Sequence, residues 1–276
     1  MFAAAIALAQ TPEAPAEEGS GAAADAALVA RASRVVYTRE LARNRAAETL
    51  DTDRGAVGRA RRVGTPLVAR ASAVGPLATG WSWSLSVETR DEPMAWSLPN
   101  GSMMISWGLV RRLSLSDAEL AAILAHAIAH QLTGDDARDA VAAYRRRHGG
   151  PDPDGNRAAA EMADILGKLI VSPHYDAAAE KAADALALEL LARSGVDPAA
   201  AVSAWRKVAA SGSTSAPGLL ALHPTPPERI ANLEAQVAQV MPLYEKALAD
   251  AAAAPKPPQP EKKKSPPRRN PRQPQP

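Results

Sequence analysis

Two pairs of side chains in this sequence are spaced for joint chemistry. In ILAHAIAH, residues 123–130, His126 and His130 stand four apart in a run that reads as helix. Residues at i and i+4 share a helical face about one turn apart, so one helix can offer two imidazoles to a single metal ion. Farther on, AAAEKAADALALELLARSGVDP repeats the spacing with Glu180 and Asp184. A second helix could thus supply a carboxylate ligand from Glu180. Asp184, one turn later, could accept a hydrogen bond from a ligand histidine and hold its tautomer. Each pair alone is a weak signal, because spaced histidines arise by accident and paired acidic residues are common on solvated helix faces.

The histidine pair is one residue short of HExxH, a pattern in which two histidines on a helix bind zinc and the Glu is a general base. Here that position is Ala127.

The elements around these residues read as mostly helical. Residues 25–50 and 54–72 have helical apolar spacing, the second interrupted near Gly64-Thr65-Pro66. WSWSLSVET (81–89) alternates with period two, as a half-buried strand does. Met94–Leu98 and Ser102–Leu109 read as two more strands about a turn at Pro99, Asn100 and Gly101. Ser116 with Glu119 three residues on forms a capping-box signature for a helix running from Asp117 through His130 to about Leu132. Further helices are expected near 136–147, 156–171, 175–194, 198–210 and 226–252. His148 and His174 read as surface residues. The expected fold is α+β and helix-rich: one domain over residues 25–253, its small sheet packed on the HxxxH helix.

Composition bounds the rest. The chain has 276 residues, 46% hydrophobic and alanine-rich, with no cysteine. Disulfides, thiolate ligands and a cysteine nucleophile are excluded. Seven Lys/Arg and one Glu fall after residue 254, so that segment carries +6 and the remainder −4 of a net +2. A basic tail on a mildly acidic body does not indicate a nucleic-acid-binding domain. Residues 254–276 read as a disordered proline-rich tail that could meet an anionic surface. Residues 11–24, rich in Pro, Glu, Gly and Ala, read as a flexible linker. Residues 1–10 end in Ala7-Leu8-Ala9, which fits the end of a truncated signal peptide, although a basic leader is missing. The expected compartment is periplasmic or extracellular, with a cytoplasmic location as the alternative. No run approaches the roughly 20 apolar residues of a transmembrane helix.

Taken in order, LPNGSMMISWGLVRRLSLSDAELAAILAHAIAH, EKAADALALELLARSGVDPAAAVSAW and HPTPPERIANL resemble the linked motifs of the HtpX-like and CAAX-prenyl-protease-type zinc metallopeptidases, a gluzincin family. The resemblance covers roughly residues 80 to 235. It implies a zincin-like domain that cuts protein substrates by attack of zinc-activated water, in protein quality control, with one zinc ion held by His126, His130 and Glu180. Asp184 corresponds to the supporting carboxylate. His223 and Arg229 correspond to a late His-Pro…Arg element near the metal cleft. There His223 would stabilise an oxyanion or approach the open metal position, unless it only begins a helix beside Pro224. Arg229 is expected on the substrate side. Pro99, Asn100 and Gly101 resemble the region where an extended peptide joins the sheet edge.

Ala127 departs from the family pattern. General acid–base groups contribute about 10²–10⁴-fold, so the chain should hydrolyse peptides poorly even with zinc bound. Glu119 lies about two turns before His126, and Asp135 and Asp136 fall past the helix end, so none is an evident replacement. Three readings stay open at this point: a natural pseudopeptidase that binds peptides in a chaperone-like way, an inactivated form of an active enzyme, or an enzyme with another base.

Overall fold

The computed structural model describes residues 18–148, 155–169, 176–215 and 223–254. The described helices are α1 (Glu18–Ala46), α2 (Arg54–Val74), α3 (Trp107–Arg112), α4 (Asp117–Thr133), α5 (Asp135–His148), α6 (Gly155–Leu169), α7 (Ala177–Arg193), α8 (Ala199–Ser215) and α9 (Pro227–Ala253). The strands are β1 (Ser84–Glu88), β2 (Ala95–Ser97) and β3 (Ser102–Ser106). They form one sheet in the order β1-β3-β2, with β1 parallel and β2 antiparallel to β3. The architecture is the expected helix-rich α+β fold.

The centre of the molecule is α4. It is apolar nearly all round, with Leu120, Ile123, Leu124 and Ile128 fully buried, and a helix with no polar face is stable only when surrounded. α2, α7, α8 and β2 surround it. Its start is held by the capping box read in the sequence: Glu119 N donates to Ser116 Oγ (3.2 Å) and Ser116 N to Glu119 Oε2 (2.7 Å). Its end is Gly134, at φ 72° and ψ 15°. That left-handed conformation suits glycine and turns the chain directly into α5. A second layer pairs α1 with α6 and α5, joining Leu28, Val29, Ala32 and Val36 to Tyr144, Met162 and Leu166.

Several element boundaries differ from the sequence expectation; α8, for one, runs on to Ser215 instead of ending near residue 210, and α1 ends at Ala46 instead of 50. α1 begins at Glu18 rather than Asp25, so residues 18–24 are helical instead of linker; Ala22 to Ala24 are strong helix formers. Residues 1–17 lie outside the described part, as do the tail from residue 255 and His174. The expected interruption of α2 does not occur: the helix passes through Pro66. Buried Val63 and Leu67 flank the proline, and Thr65 Oγ1 donates to Arg61 O (2.7 Å). Gly64 lets α2 approach β1 and α4, since a Cβ there would stand 3.2 Å from Leu85. The third strand stops at Ser106 instead of running to Leu109. Ser106 Oγ accepts the N–H of Leu109 (3.2 Å) and of Met94 (3.0 Å), so it caps α3 and ties it to the segment before β2. The first strand is also shorter, beginning at Ser84.

Candidate metal centre

α4 and α7 pack side by side, and each brings its pair of polar residues to their shared face. α7 is set in place by Asp176, whose Oδ1 accepts the N–H groups of Ala178 (2.8 Å) and Ala179 (3.3 Å). This cap puts Glu180 in the first turn, opposite His126 and His130. The two histidine Nε2 atoms lie 3.0 Å apart. Glu180 Oε1 is 3.2 Å from His130 Nε2, and Oε2 is 3.4 Å from His126 Nε2. His223, just before α9, adds Nδ1 at 2.8 Å from Glu180 Oε1 and 3.3 Å from His126 Nε2. The ligand atoms of all four residues lie within 4.8 Å of one another.

These separations suit a metal. Tetrahedral zinc with N and O ligands at about 2.0–2.1 Å places the donors roughly 3.3 Å apart. Glu180 Oε2 is buried without an aligned hydrogen bond. Three imidazole nitrogens and a carboxylate converging on one point form a donor set that zinc accepts.

Support comes from two further residues. Asp184 Oδ1 lies 3.0 Å from His126 Nδ1, so the carboxylate favours a proton on Nδ1 and leaves Nε2 free to bind a metal. Arg229 is buried, not placed on the substrate side as expected. Its Nε and Nη2 each donate to Asp184 (both 2.8 Å), and its Nη1 is 2.8 Å from Glu180 Oε2. The guanidinium also lies 4.2 Å above the Trp205 ring, whose edge meets His126 at a centroid distance of 4.8 Å. Trp205 had no signal in the sequence; its role follows from α8 packing on α4.

Protonation follows from these neighbours. Burial opposes charge on His126, but Asp184 and Glu180 outweigh it and hold its pKa above the ordinary value. Burial likewise opposes ionisation of Glu180 and Asp184. The histidines around Glu180, and His126 with Arg229 beside Asp184, reverse that and keep both carboxyls below their usual range. Burial pushes His223 down to about 4 against the pull of Glu180, so its ring is neutral at neutral pH.

A cavity of about 300 Å³ opens beside the cluster, lined in part by Ala127, His130, Glu180 and His223. Its sheet side is β2. Ser97 Oγ donates to Ala127 O (2.6 Å), and Gln131 Nε2 to Ser97 O (3.3 Å). Pro99, Asn100 and Gly101 do not line this cavity. They make the β2–β3 turn, where Leu98 N donates to Ser102 O (2.9 Å) and Asn100 Oδ1 accepts from Ser102 N (3.0 Å). Asp135 and Asp136, placed past the helix end by sequence, do line the cavity because Gly134 folds α5 back across it. His148 is at the surface, as expected, beside Glu161 at 2.9 Å. Among the described residues no helix is long and apolar enough to cross a membrane.

No curated protein matches the chain. The model of Peptidase family M48 matches residues 57–237. That span contains the sheet, both ligand-bearing helices, His223 and Arg229, and it is more than half of the sequence: the chain belongs to peptidase family M48, a family of metal-dependent peptidases.

Proposed function

We propose that His126, His130 and Glu180 hold one zinc ion in a peptidase-type site that binds extended protein segments and hydrolyses them poorly. The carrying observation is the convergence of these three side chains beside a cavity whose wall includes Ala127. Bound zinc supplies Lewis acidity that polarises a carbonyl and activates water.

The protein's own groups supply orientation. Asp184 and Arg229 hold His126 and Glu180 in register, and Trp205 backs both. His223 stands where a water or a substrate oxygen would reach the cluster, so productive binding requires its ring to move aside. Along β2, the pairs Met94–Ser106, Trp96–Met104 and Leu98–Ser102 point their backbone groups at β3. Backbone groups of Ala95 and Ser97 therefore turn away from β3; Ser97 O already accepts from Gln131, and an extended substrate can pair by strand addition with the groups left open. Proton transfer is the missing function: Ala127 has no group to take a proton from water or pass one to the leaving amine.

A second reading is favoured by the same residue. A site that retains its ligands, its strand edge and its cavity but lacks the base is suited to holding peptides without cutting them. We further place the protein in the periplasm or outside the cell on the Ala7-Leu8-Ala9 pattern, which lies outside the described residues. N-terminal sequencing of protein from cells checks this, and an intact Met1 counts against it.

The deciding experiment is a zinc-loaded protease assay on an unfolded protein, comparing this chain with Ala127→Glu. The Glu variant should cut about 10²–10⁴-fold faster and lose that activity to a chelator. If neither chain cuts but both bind the substrate, the peptide-holding reading stands instead.

A further inference from the structure

The cavity beside Ala127 is acidic well beyond the metal cluster. Asp135, Asp136 and Asp139 reach it from the first turns of α5, and Asp176 from the start of α7. Arg138 is its only lining lysine or arginine among the described residues, and it is paired with Asp135. The other three carboxylates have no cationic partner in the lining. Trp96 and Leu169 give the same cavity apolar wall.

The polar wall of the cavity is anchored by Gln131. Gln131 is 2% exposed and lines this cavity. Its Nε2 donates to Ser97 O (3.3 Å) and Asp136 Oδ2 (2.9 Å). Those two acceptors settle which way the amide points, because the reverse would set Oε1 against both. Oε1 is then a buried acceptor with no donor, an arrangement that proteins rarely leave unmet.

We propose that this cavity is a specificity pocket for a lysine or arginine side chain of the bound peptide, next to the residue held at the metal cluster. The apolar stem lies against Trp96 and Leu169, as long basic side chains pack their methylenes on apolar surface. The cationic head meets Asp136 and Asp139. The proposal rests on the reading of this site as a peptide-binding one. It commits the protein to peptides with a basic residue and against those with an acidic one.

The test uses the full chain loaded with zinc and three fluorescein-labelled decapeptides, identical except for a central Lys, Leu or Glu. Fluorescence anisotropy should show the Lys peptide binding about tenfold more tightly than the Glu peptide, with Leu between. The Lys-to-Glu ratio should shrink as salt rises, and it should fall toward one in Asp136→Asn/Asp139→Asn. Asp139→Asn alone, at an exposed position, should lower the ratio in part, which keeps the test sound if the double variant folds badly. Equal affinity for all three peptides overturns the pocket assignment and leaves the peptide site standing. A preference unchanged in the variants overturns the role of these carboxylates. Failure of every peptide to bind removes the peptide site, and the pocket with it.

Discussion

Arg229 and Asp184 meet fork to fork, with Nε 2.8 Å from Oδ2 and Nη2 2.8 Å from Oδ1. The third nitrogen of the same guanidinium is 2.8 Å from Glu180. One cation thus ties the proposed metal ligand on α7 to the carboxylate that orients His126 on α4. Bidentate geometry of this kind belongs to arginine, since an ammonium is a single point of charge.

Replacing Arg229 with alanine should leave two buried carboxylates without their cation. Breaking such a network by removing one partner costs about 3–5 kcal/mol. Arg229→Lys should recover only part of this, because one ammonium cannot serve Asp184 at two points and Glu180 at a third. Denaturant melts of the zinc-free proteins measure the loss. Zinc titrations against a competing chelator should show affinity about 10–100-fold weaker in Arg229→Lys. Unchanged zinc affinity would show that the ligands need no such support.

Zinc itself should stabilise the fold, because its three proposed ligands come from two separate helices, α4 and α7. At zinc roughly 100 times Kd the gain is about 2.7 kcal/mol. Thermal melts with zinc and with chelator should therefore differ in the parent and coincide in Glu180→Gln. A Glu180→Gln protein that still melts higher with zinc would place the metal elsewhere.

Trp205 is fully buried between Arg229 and His126. Trp205→Ala should cost about 3–5 kcal/mol through the cavity it leaves. It should also weaken zinc binding, by loosening the arginine and the histidine that the ring backs. Trp205→Phe should restore most of the stability, and calorimetry of the three proteins separates packing from ring-specific effects.

Acid sensitivity should arise in part at the start of α4. Burial raises the pKa of Glu119, but the Lys207 ammonium at 2.7 Å and the Ser116 hydrogen bonds outweigh it, so the group sits below its ordinary 4.5. A carboxyl whose folded pKa is depressed contributes stability that is complete above its unfolded pKa. That contribution is lost as pH falls through the folded value. Glu119→Gln should therefore be less stable than the parent at pH 7, and the gap should close below about pH 4.5. Urea melts from pH 7 to pH 3 give both curves. A gap that persists at pH 3 would mean that Glu119 acts through packing rather than charge.

The sequence by itself determined the local pieces of this protein. Capping chemistry at Ser116 and Glu119 and helical spacing located α4. The same spacing put His126 beside His130 and Glu180 beside Asp184, and the order of motifs pointed to the family that the match over residues 57–237 shows. These are short-range features, written in neighbours a turn apart. Tertiary structure decided what distance along the chain conceals. Arg229 turned out to be a buried clamp 45 residues from Asp184, and Trp205 a platform beneath it. Hydrogen-bond parity across β3 decides that the backbone groups of Ala95 and Ser97 in β2 turn away from the sheet, beside the cavity and apart from the turn at Asn100. Asp135 and Asp136 entered the cavity because one left-handed glycine, Gly134, turns α5 back over the site. Such contacts depend on how helices pack and where a chain reverses, and side-chain spacing along the sequence does not record them.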